Sequence, residues 1–459
     1  MAFDLVIRGG TIVTADETFH ADIGVAGGLI THIGEVPTGK HEVDATNQLV
    51  FPGGIDAHVH LSQPARRMPR LRWVDDFTSG SGAALAGGIT TLGNMSFPWA
   101  RQTPLMTLAR DSALVEKQAI ADFILHPVLA EAKPNFLADI PRLLEVGCNS
   151  MKIFMTVPWF DRQIMGFMEA VRRAGERGLL TLIHCEDSAI IGDSTARLMQ
   201  SGRSNLRYFG ESRPVAAEVV ATQRAIAIAE VTGAPIYIVH LSSRRALDVC
   251  AEAQSRGIPV FVETRPLYLH LTEERLQEPD GPKYIGQPPL RTSDDTEAIW
   301  SGIREGIIHT VCTDHAPWSL EAKLDPALTV AQVRPGVENL QTMLPMLYSE
   351  GVRTGRISLQ RFVEITSTNA ARLFGLYPRK GAIRVGSDAD LVIFDPNQTQ
   401  VIENSMLKSN ADYSVYEGWE VTGWPTVTIR RGEIVFQNDE VIGRPGSGRL
   451  LRREATAPL

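Results

Sequence analysis

Short apolar runs alternate with longer stretches of helical periodicity between about residues 53 and 375. The apolar runs lie at 89–92, 123–128, 151–155, 179–183, 236–239, 260–262 and 310–312. Repeated strand-then-helix units are typical of parallel strands covered by helices. Seven or eight units in roughly 320 residues favour a barrel with insertions over an open sheet. The pattern therefore predicts an α/β fold with a (β/α)8 TIM-like barrel over residues 53–375.

The two ends of the chain show a different pattern, in which short strands are separated by glycine turns. Near the amino end, Gly9-Gly10 and Gly27-Gly28 interrupt the apolar runs, and similar short runs lie at 391–394 and 426–430. Neither end buries a sheet face well alone. We therefore predict that residues 1–52 and 376–459, the latter including a tail, pair in space as one small β-sandwich domain beside the barrel.

Composition restricts the class of protein. The chain has 459 residues, of which 44% are hydrophobic and 21% charged, and a formal charge of −8. This composition is typical of a globular protein, and the negative charge argues against nucleic acid or anionic membranes as partners. No apolar stretch approaches the roughly 18 residues of a membrane span, and the first residues lack the apolar core of a signal peptide. We predict a cytoplasmic enzyme.

The four cysteines give no sign of a disulfide framework or a thiolate metal site. Cys148, Cys185, Cys250 and Cys312 form no C-x-x-C pair. We interpret Cys185 and Cys312 as small strand residues in a reducing compartment.

Two histidines one residue apart end the apolar segment 53–60. In a strand, residues i and i+2 point to the same face, so His58 and His60 would direct both imidazoles at one point. Two neutral nitrogens converging from one strand form half of a transition-metal site. The alternative is a histidine pair at a strand end that faces solvent.

Further chemically reactive side chains follow other predicted strands. His184 and His240 come directly after an apolar run, Asp314 follows the run 310–312 with only Thr313 between them, and Lys152 lies inside a run. In (β/α)8 barrels the chemistry is at the carboxyl ends of the strands, so these residues are predicted to meet. A buried ammonium must pair, lose its proton or be modified. Lys152 is thus either a carbamate that bridges two cations or a lysine that reaches the strand end or pairs with a local acid.

Eight segments carry a resemblance to a known family, and they extend over essentially the whole chain. They are the segments 51–60, 87–91, 151–155, 184–186, 239–242, 287–291, 313–317 and 380–395. On these segments the chain resembles the cyclic amidohydrolases of the amidohydrolase superfamily, most closely the hydantoinase/dihydropyrimidinase group.

The resemblance implies a dinuclear metal centre. It implies that His58, His60 and Asp314 bind the more buried ion, that His184 and His240 bind the other, and that carboxylated Lys152 (N6-carboxylysine) lies between them. Every one of these positions holds the expected residue type. Zinc is favoured by histidine and carboxylate ligands, although manganese or cobalt fit the same set.

The resemblance also implies a reaction. A bridging hydroxide would attack a cyclic amide or imide of the hydantoin or dihydropyrimidine type, and Asp314 would carry the proton to the leaving nitrogen. Both halves of a cyclic substrate stay joined, so the product is an N-carbamoyl amino acid. The homotetramer is the favoured assembly of such proteins, with dimers as the alternative.

Several positions depart from the family pattern. Dihydroorotases have an arginine where this chain has Ser62, which argues against dihydroorotate as substrate. Many hydantoinases have an oxyanion-binding tyrosine where this chain has Val157. Gln287 replaces a serine that usually precedes the Pro-Pro-Leu-Arg segment.

The loops after the strands supply candidates for substrate contacts. Trp159, with Phe160 and Trp318, either lines a pocket for an aromatic substituent or packs on the barrel rim. Gly336 and Asn339 resemble the loop that closes over the substrate ring. The arginines of the segment 66–72 are interpreted as a solvated loop, with attraction of an anionic substrate as the alternative. The predicted substrate contacts are Gln287, Val157, Trp159, Gly336 and Asn339.

Two other functions compete with a hydantoinase-like activity. Allantoinase would use the same metals on a hydantoin that bears a ureido group. Non-catalytic relatives of dihydropyrimidinase act as assembly proteins, but their metal ligands are substituted, whereas all six are retained here. A deaminase with a single metal is disfavoured by Lys152.

Overall fold

A computed structural model describes residues 3–61 and 73–456 of the chain. Its strands are β1 Phe3–Val13, β2 Thr18–Ala26, β3 Leu29–Gly34, β4 Gly39–Asp44, β5 Leu49–Pro52, β6 Gly54–Val59, β7 Ile89–Ser96, β8 Asp122–Pro127, β9 Ser150–Phe154, β10 Leu180–His184, β11 Ile236–Ile238, β12 Val260–Thr264, β13 Thr310–Val311, β14 Leu391–Val401, β15 Glu420–Arg430, β16 Glu433–Gln437 and β17 Glu440–Val441. Ser62 and the arginines of the segment 66–72, singled out above, lie outside the described residues.

Helices α1 to α10 lie between the central strands along the chain, and α11 to α14 come after the last of these strands. They are α1 Phe77–Ala86, α2 Pro104–Gln118, α3 Pro134–Leu137, α4 Ile164–Glu176, α5 Ser188–Gln200, α6 Phe209–Ser212, α7 Val215–Thr232, α8 Arg244–Ser255, α9 Leu267–His270, α10 Ser293–Glu305, α11 Leu320–Lys323, α12 Met343–Leu347, α13 Leu359–Val363 and α14 Asn369–Leu373. Short 3-10 helices lie at Ile140–Arg142, Leu144–Val146, Asp161–Gln163, Leu206–Tyr208, Glu273–Gln277, Gly281–Tyr284 and Asn404–Met406, and π-helical segments at Tyr348–Val352 and Glu364–Thr368.

The eight central strands form the predicted α/β barrel. β6, β7 and β8 pair in parallel, and β9 to β13 form a second parallel group. Single bridges join the two groups at both seams, Val128 with Lys152 and Val59 with His315. The backbone hydrogen bonds from Leu129 N to Lys152 O and from His60 N to His315 O, both 2.8 Å long, support these bridges. The carboxyl ends of the strands consequently share one mouth.

Helix α4 shows the pattern of a helix that covers the barrel with one face. In α4 the buried positions are Phe167, Ala170, Val171 and Ala174, which recur at helical spacing. Strands β7 and β8 are buried at every position, which is the pattern of parallel strands covered on both faces.

The two ends of the chain share one sheet, as predicted for the small β domain. Among the described residues this sheet has nine strands, in which β5 from the amino end pairs with β14 from the carboxyl end. Apolar residues from both ends, among them Ile7, Ile23, Leu391 and Ile429, form one core cluster. The boundaries at 52/53 and 375/376 stay a prediction.

One predicted turn is wrong. The glycines Gly9-Gly10 do not end the first strand, because β1 continues through them and stays paired with β2. The register shifts between Ile7 and Gly10, and Gly9 has a φ of 64°, so the glycine accommodates an extra residue as a bulge. Separately, none of the described helices is both long and apolar enough to cross a bilayer.

Candidate metal centre

Six side chains singled out from the sequence lie at one mouth of the barrel. They are His58 and His60 at the end of β6, Lys152 in β9, His184 at the end of β10, His240 after β11 and Asp314 after β13. None of the six is more than 8% exposed. They converge because parallel strands in a barrel end at the same face.

His58, His60 and Asp314 form a compact donor set. The Oδ1 atom of Asp314 lies 2.8 Å from Nε2 of His60 and 3.2 Å from Nε2 of His58. One ligand atom from each residue lies within 4.8 Å of the other two. Two imidazole nitrogens and a carboxylate oxygen at this spacing form a donor set that binds divalent transition metals.

Carboxylates behind two of the histidines fix the orientation of the rings. Nδ1 of His58 donates to Oε1 of Glu263 at 2.7 Å, which leaves Nε2 toward Asp314. Nε2 of His184 donates to Oε2 of Glu186 at 2.7 Å, which leaves Nδ1 free, and Arg213 pairs with the same carboxylate. Such carboxylate–histidine contacts are typical of metal ligands.

Lys152 is fully buried, and among the described residues its Nζ has no hydrogen-bond partner. Burial lowers the pKa of Lys152 to about 8, against the opposing charges of Glu263 and Asp314. At pH 7 about a tenth of an amine with this pKa is uncharged, far more than of an ordinary lysine, and the uncharged amine is the form that adds carbon dioxide.

Burial also favours neutral imidazoles at His58 and His240. The pKa values of these two histidines lie well below the ordinary value because burial disfavours the imidazolium. Burial alone would raise the pKa of Asp314, but the positive charge of Arg265 and the hydrogen bond from His60 outweigh it and hold the pKa well below its usual range. His58 and His240 therefore present neutral nitrogens and Asp314 an ionised carboxylate, which are the forms that bind metals.

Backbone strain coincides with two of these residues. His240 has a φ of 40° and Asp314 a φ of 50°, both in the left-handed region that non-glycine residues rarely adopt. Such a conformation costs about 1–3 kcal/mol and persists only where the surroundings hold it.

A cavity opens above the donor set, and aromatic side chains form one wall of it. Trp73, Phe97 and Phe154 line this wall, and Gln287 and Gly336 line another part of the cavity. The ring centroid of His60 lies 5.0 Å from that of Trp73, and Phe97 lies 5.6 Å from Phe154.

The other predicted substrate contacts lie elsewhere. Val157 packs against the main core, Trp159 donates from Nε1 to the carbonyl of Ala130 at 2.8 Å, and Asn339 donates from Nδ2 to the carbonyl of Thr313 at 3.2 Å. These three are not among the described residues that line the cavity. Their contact with substrate stays a prediction.

The remaining predicted aromatics do not line this cavity as described. Phe160 is 3% exposed and stacks on Phe167 inside the core. Trp318 donates from Nε1 to the carbonyl of Pro335 at 2.8 Å and so supports the loop that precedes Gly336.

Sequence reasoning missed two carboxylates and the aromatic wall. Glu263 lies in the apolar strand β12, so it carries the same signal as Lys152, but the predicted strand ended one residue before it. Glu186 follows His184 at the spacing of a strand-end pair. Phe97 and Phe154 read as ordinary core residues, since no local pattern distinguishes a cavity wall from a core.

The described residues fit a pair of divalent ions. Nζ of Lys152, at the same barrel mouth as His58, His60 and Asp314, is buried and has no hydrogen-bond partner among the described residues. A buried polar atom left without a partner is costly, so this amine beside a three-residue donor set indicates a group that they bind together. The fold and this donor set define a barrel enzyme that depends on metal ions.

Comparison with known proteins agrees with this class. The sequence model that describes the amidohydrolase family matches residues 49–435 of this chain. The chain belongs to the amidohydrolase family, and this family implies a dinuclear metal site.

Relatives and solved structures cover the chain almost end to end. A D-phenylhydantoinase from Escherichia coli O7:K1 is 37% identical to this chain, and the alignment covers 99% of each sequence. A D-hydantoinase from Bacillus sp. AR9 superimposes with a TM-score of 0.94 at 35% identity, covering 99% of this chain and 100% of that one. A D-hydantoinase (dihydropyrimidinase) from Thermus sp. has the same TM-score and identity, covering 98% and 99%.

Proposed function

We propose that this protein hydrolyses a cyclic amide or imide of the hydantoin or dihydropyrimidine type to an N-carbamoyl amino acid. The observation that carries the proposal is the buried amine of Lys152, which has no hydrogen-bond partner among the described residues and lies at the same barrel mouth as four histidines and Asp314. Membership in the amidohydrolase family and the similarity to hydantoinases support it.

The metal ligands are proposed residue by residue. His58, His60 and Asp314 would hold one ion, His184 and His240 the other, and a carbamate on Lys152 would bridge them. Zinc is the favoured metal because imidazole and carboxylate donors suit it. When bound, the two ions would supply a hydroxide at neutral pH and polarise the ring carbonyl.

The chain's own residues would then handle the proton and the substrate. The Asp314 carboxylate would take the proton of the nucleophile and deliver it to the ring nitrogen that leaves. Gln287 and Gly336 lie on the cavity wall where the ring would bind. Val157 brings no hydroxyl to the oxyanion, so the metal centre or another donor would stabilise that charge.

The aromatic wall favours a planar apolar substituent on the ring. Trp73, Phe97 and Phe154 offer faces and edges on which an aryl group stacks, a contact worth about 0.5–1.5 kcal/mol per ring pair. The ureido group of allantoin would place several donors and acceptors against these rings. We therefore favour an aryl-substituted hydantoin over allantoin.

Ring-opening assays test the proposal. The zinc-loaded protein is given hydantoin, 5-phenylhydantoin, dihydrouracil and allantoin, and the N-carbamoyl product is measured by mass spectrometry. We expect turnover of 5-phenylhydantoin above the others, and none after chelation. Turnover of allantoin alone would favour allantoinase, and no turnover by protein that carries two zinc ions would contradict the proposal.

A variant of the aromatic wall sharpens the test. Phe97→Leu keeps an apolar side chain but removes the ring, so kcat/KM for 5-phenylhydantoin should fall about tenfold. The unsubstituted hydantoin, measured on the same variant, is the control and should change little. Equal losses on both substrates would contradict a substituent site at Phe97.

We also propose an assembly and a location for this protein. Resemblance to the family supports a homotetramer, with a dimer as the alternative, and sedimentation velocity distinguishes them. The four cysteines are buried and free, which is consistent with a reducing compartment such as the cytoplasm.

A further inference from the structure

A buried arginine lies directly behind the proposed acid–base residue. Arg265 follows β12 and has an exposed fraction of 0%. Its Nη1 lies 3.2 Å from Oδ2 of Asp314, and its Nε donates to the carbonyl of Thr313 at 3.2 Å. A fully buried guanidinium is rare unless it is paired, so this placement calls for a physical account.

The two oxygens of Asp314 face different partners. Oδ1 lies against Nε2 of His60 and of His58, at 2.8 and 3.2 Å, whereas Oδ2 faces Arg265. The contact at Oδ2 is an ion pair rather than a hydrogen bond, since neither Nη atom of Arg265 has a hydrogen-bond partner among the described residues. Charge attraction at Oδ2 and the imidazole contacts at Oδ1 together favour one orientation of the carboxylate. In this orientation Oδ1 points to the imidazoles that would share a metal with it.

The backbone at Asp314 is held as well. The carbonyl of Thr313 accepts from Arg265 Nε and from Asn339 Nδ2, each at 3.2 Å. On the opposite side, Asp56 accepts from the amide and the hydroxyl of Thr313. These contacts fix the peptide that precedes Asp314, whose φ of 50° needs support from its surroundings.

We infer that Arg265 is a positioning residue of the proposed ring-opening reaction and acts through Asp314. It holds both the carboxylate and the preceding carbonyl, so that Oδ1 faces the histidine pair before any ligand arrives. The inference rests on the proposed function. It assigns no contact with substrate to Arg265, which does not line the cavity as described.

Gly286 leaves room for the Arg265 guanidinium. A Cβ atom added to Gly286 would lie 2.5 Å from Nη1 of Arg265, closer than real Cβ contacts allow, so the guanidinium would have to move. Gly286 directly precedes Gln287, which lines the cavity. Gly286→Ala should disturb the same carboxylate from the other side.

Kinetics of three variants of the full metal-loaded chain test the inference. Arg265→Ala removes both contacts, Arg265→Lys keeps the charge, and Arg453→Ala removes another buried arginine outside the site. With 5-phenylhydantoin, or the best substrate of the panel, we expect kcat of Arg265→Ala to fall about 100-fold, the scale of losing one preorganised electrostatic contact, while KM changes little. Arg265→Lys should recover part of kcat.

Chemical rescue separates positioning from a general loss of structure. Guanidinium chloride at millimolar concentration should restore part of the kcat of Arg265→Ala, because the ion fits the space that the side chain leaves. Sodium chloride at equal ionic strength should not. Arg453→Ala should keep kcat and should not respond to guanidinium.

Zinc retention gives a readout that does not need turnover. If Arg265 positions Asp314, then Arg265→Ala should lose zinc to a chelator faster than wild type, although removal of a nearby positive charge would by itself retain zinc more strongly. Slower loss, wild-type kcat, or a loss of kcat that guanidinium does not restore would each overturn the inference. A wild-type protein that opens no ring would refute the proposed function, and zinc retention would still test Arg265.

Discussion

At the scale of residues, the chemistry of this protein depends on side chains whose local environment is unfavourable without a ligand. Lys152 is buried without a partner among the described residues, and His240 and Asp314 adopt strained backbone conformations. Such features are costly, and they concentrate at sites of binding and catalysis. The predictions at this scale therefore concern loss of function more than loss of stability.

Lys152→Ala should abolish turnover, because it removes the atoms proposed to bridge the two ions. A short carboxylate such as acetate or propionate, added to the variant, should restore part of the activity by taking the place of the carbamate. Steady-state rates and zinc content measure both effects. Full activity without rescue would contradict the bridging role of Lys152.

Asp314→Asn should lower kcat by about 10²–10⁴, the range expected when a general acid–base group is lost. An amide cannot carry the proton, and it binds divalent ions more weakly than a carboxylate. The zinc content, measured beside kcat, separates these two effects. Turnover unchanged from wild type would remove Asp314 from the mechanism.

At the scale of elements, the carboxyl-terminal segment stabilises the barrel. Leu450 forms a parallel bridge with Phe123 of β8, and Leu451 N donates to the carbonyl of Phe123 at 2.8 Å. Two residues later, the side chain of Arg453 is buried, with 4% of the residue exposed. Its Nη atoms donate to Ser150 Oγ at 2.8 Å and to the carbonyl of Leu125 at 2.7 Å, and so connect the tail with β8 and β9.

Arg453→Ala should therefore destabilise the protein while kcat of the metal-loaded enzyme stays near wild type. The substitution leaves the carbonyl of Leu125 and the hydroxyl of Ser150 with one donor fewer, at a cost of about 1–3 kcal/mol for a buried group left unsatisfied. Urea unfolding measures the loss. An unchanged midpoint would show that the tail adds no stability through Arg453.

At the scale of the whole molecule, a buried ion cluster joins the barrel to the small β domain. Lys380 Nζ lies 2.7 Å from Asp122 of β8 and 2.6 Å from Asp390, the residue before β14, and Arg431 also contacts Asp122. Lys380 is 1% exposed. Burial lowers the pKa of Lys380, but Asp390 and Asp122 outweigh it and raise the pKa above its ordinary value.

Lys380→Met should cost about 3–5 kcal/mol, because it leaves buried carboxylates without their cation. Since the pKa of Lys380 is raised in the folded state, its contribution is fully present below the unfolded pKa of about 10.4 and is lost as pH rises through the folded pKa. Denaturant unfolding of both proteins, from neutral pH to above pH 10, measures this. We expect the difference between wild type and variant to shrink at the alkaline end; a constant difference would contradict the charge-based account.

Removal of the metal should lower the melting temperature of the whole protein. Ions that bind the folded chain and not the unfolded one add stability by mass action. Calorimetry of chelated and zinc-restored protein measures the shift, and magnesium, which prefers oxygen ligands, is the control. Equal melting temperatures in zinc-free and zinc-restored protein would contradict zinc binding to the folded state.

The sequence by itself determined the architecture and the donor residues. Apolar runs at strand spacing, separated by helical stretches, specify parallel strands, and parallel strands in a barrel end at one mouth. The place of a residue at a strand end, such as His184, can therefore be predicted from the sequence. Lys152 could be singled out as well, because a charge inside an apolar run is unusual in a protein.

Only the tertiary structure decided what surrounds those donors. Phe97 and Phe154 form a cavity wall, and Trp159 donates to the carbonyl of Ala130. Arg265 contacts Asp314, although about 50 residues separate them along the chain. The direction of a loop side chain depends on partners distant in sequence, and no local periodicity records it. The strand ends were therefore predictable, whereas the contacts that select a substrate and orient Asp314 were not.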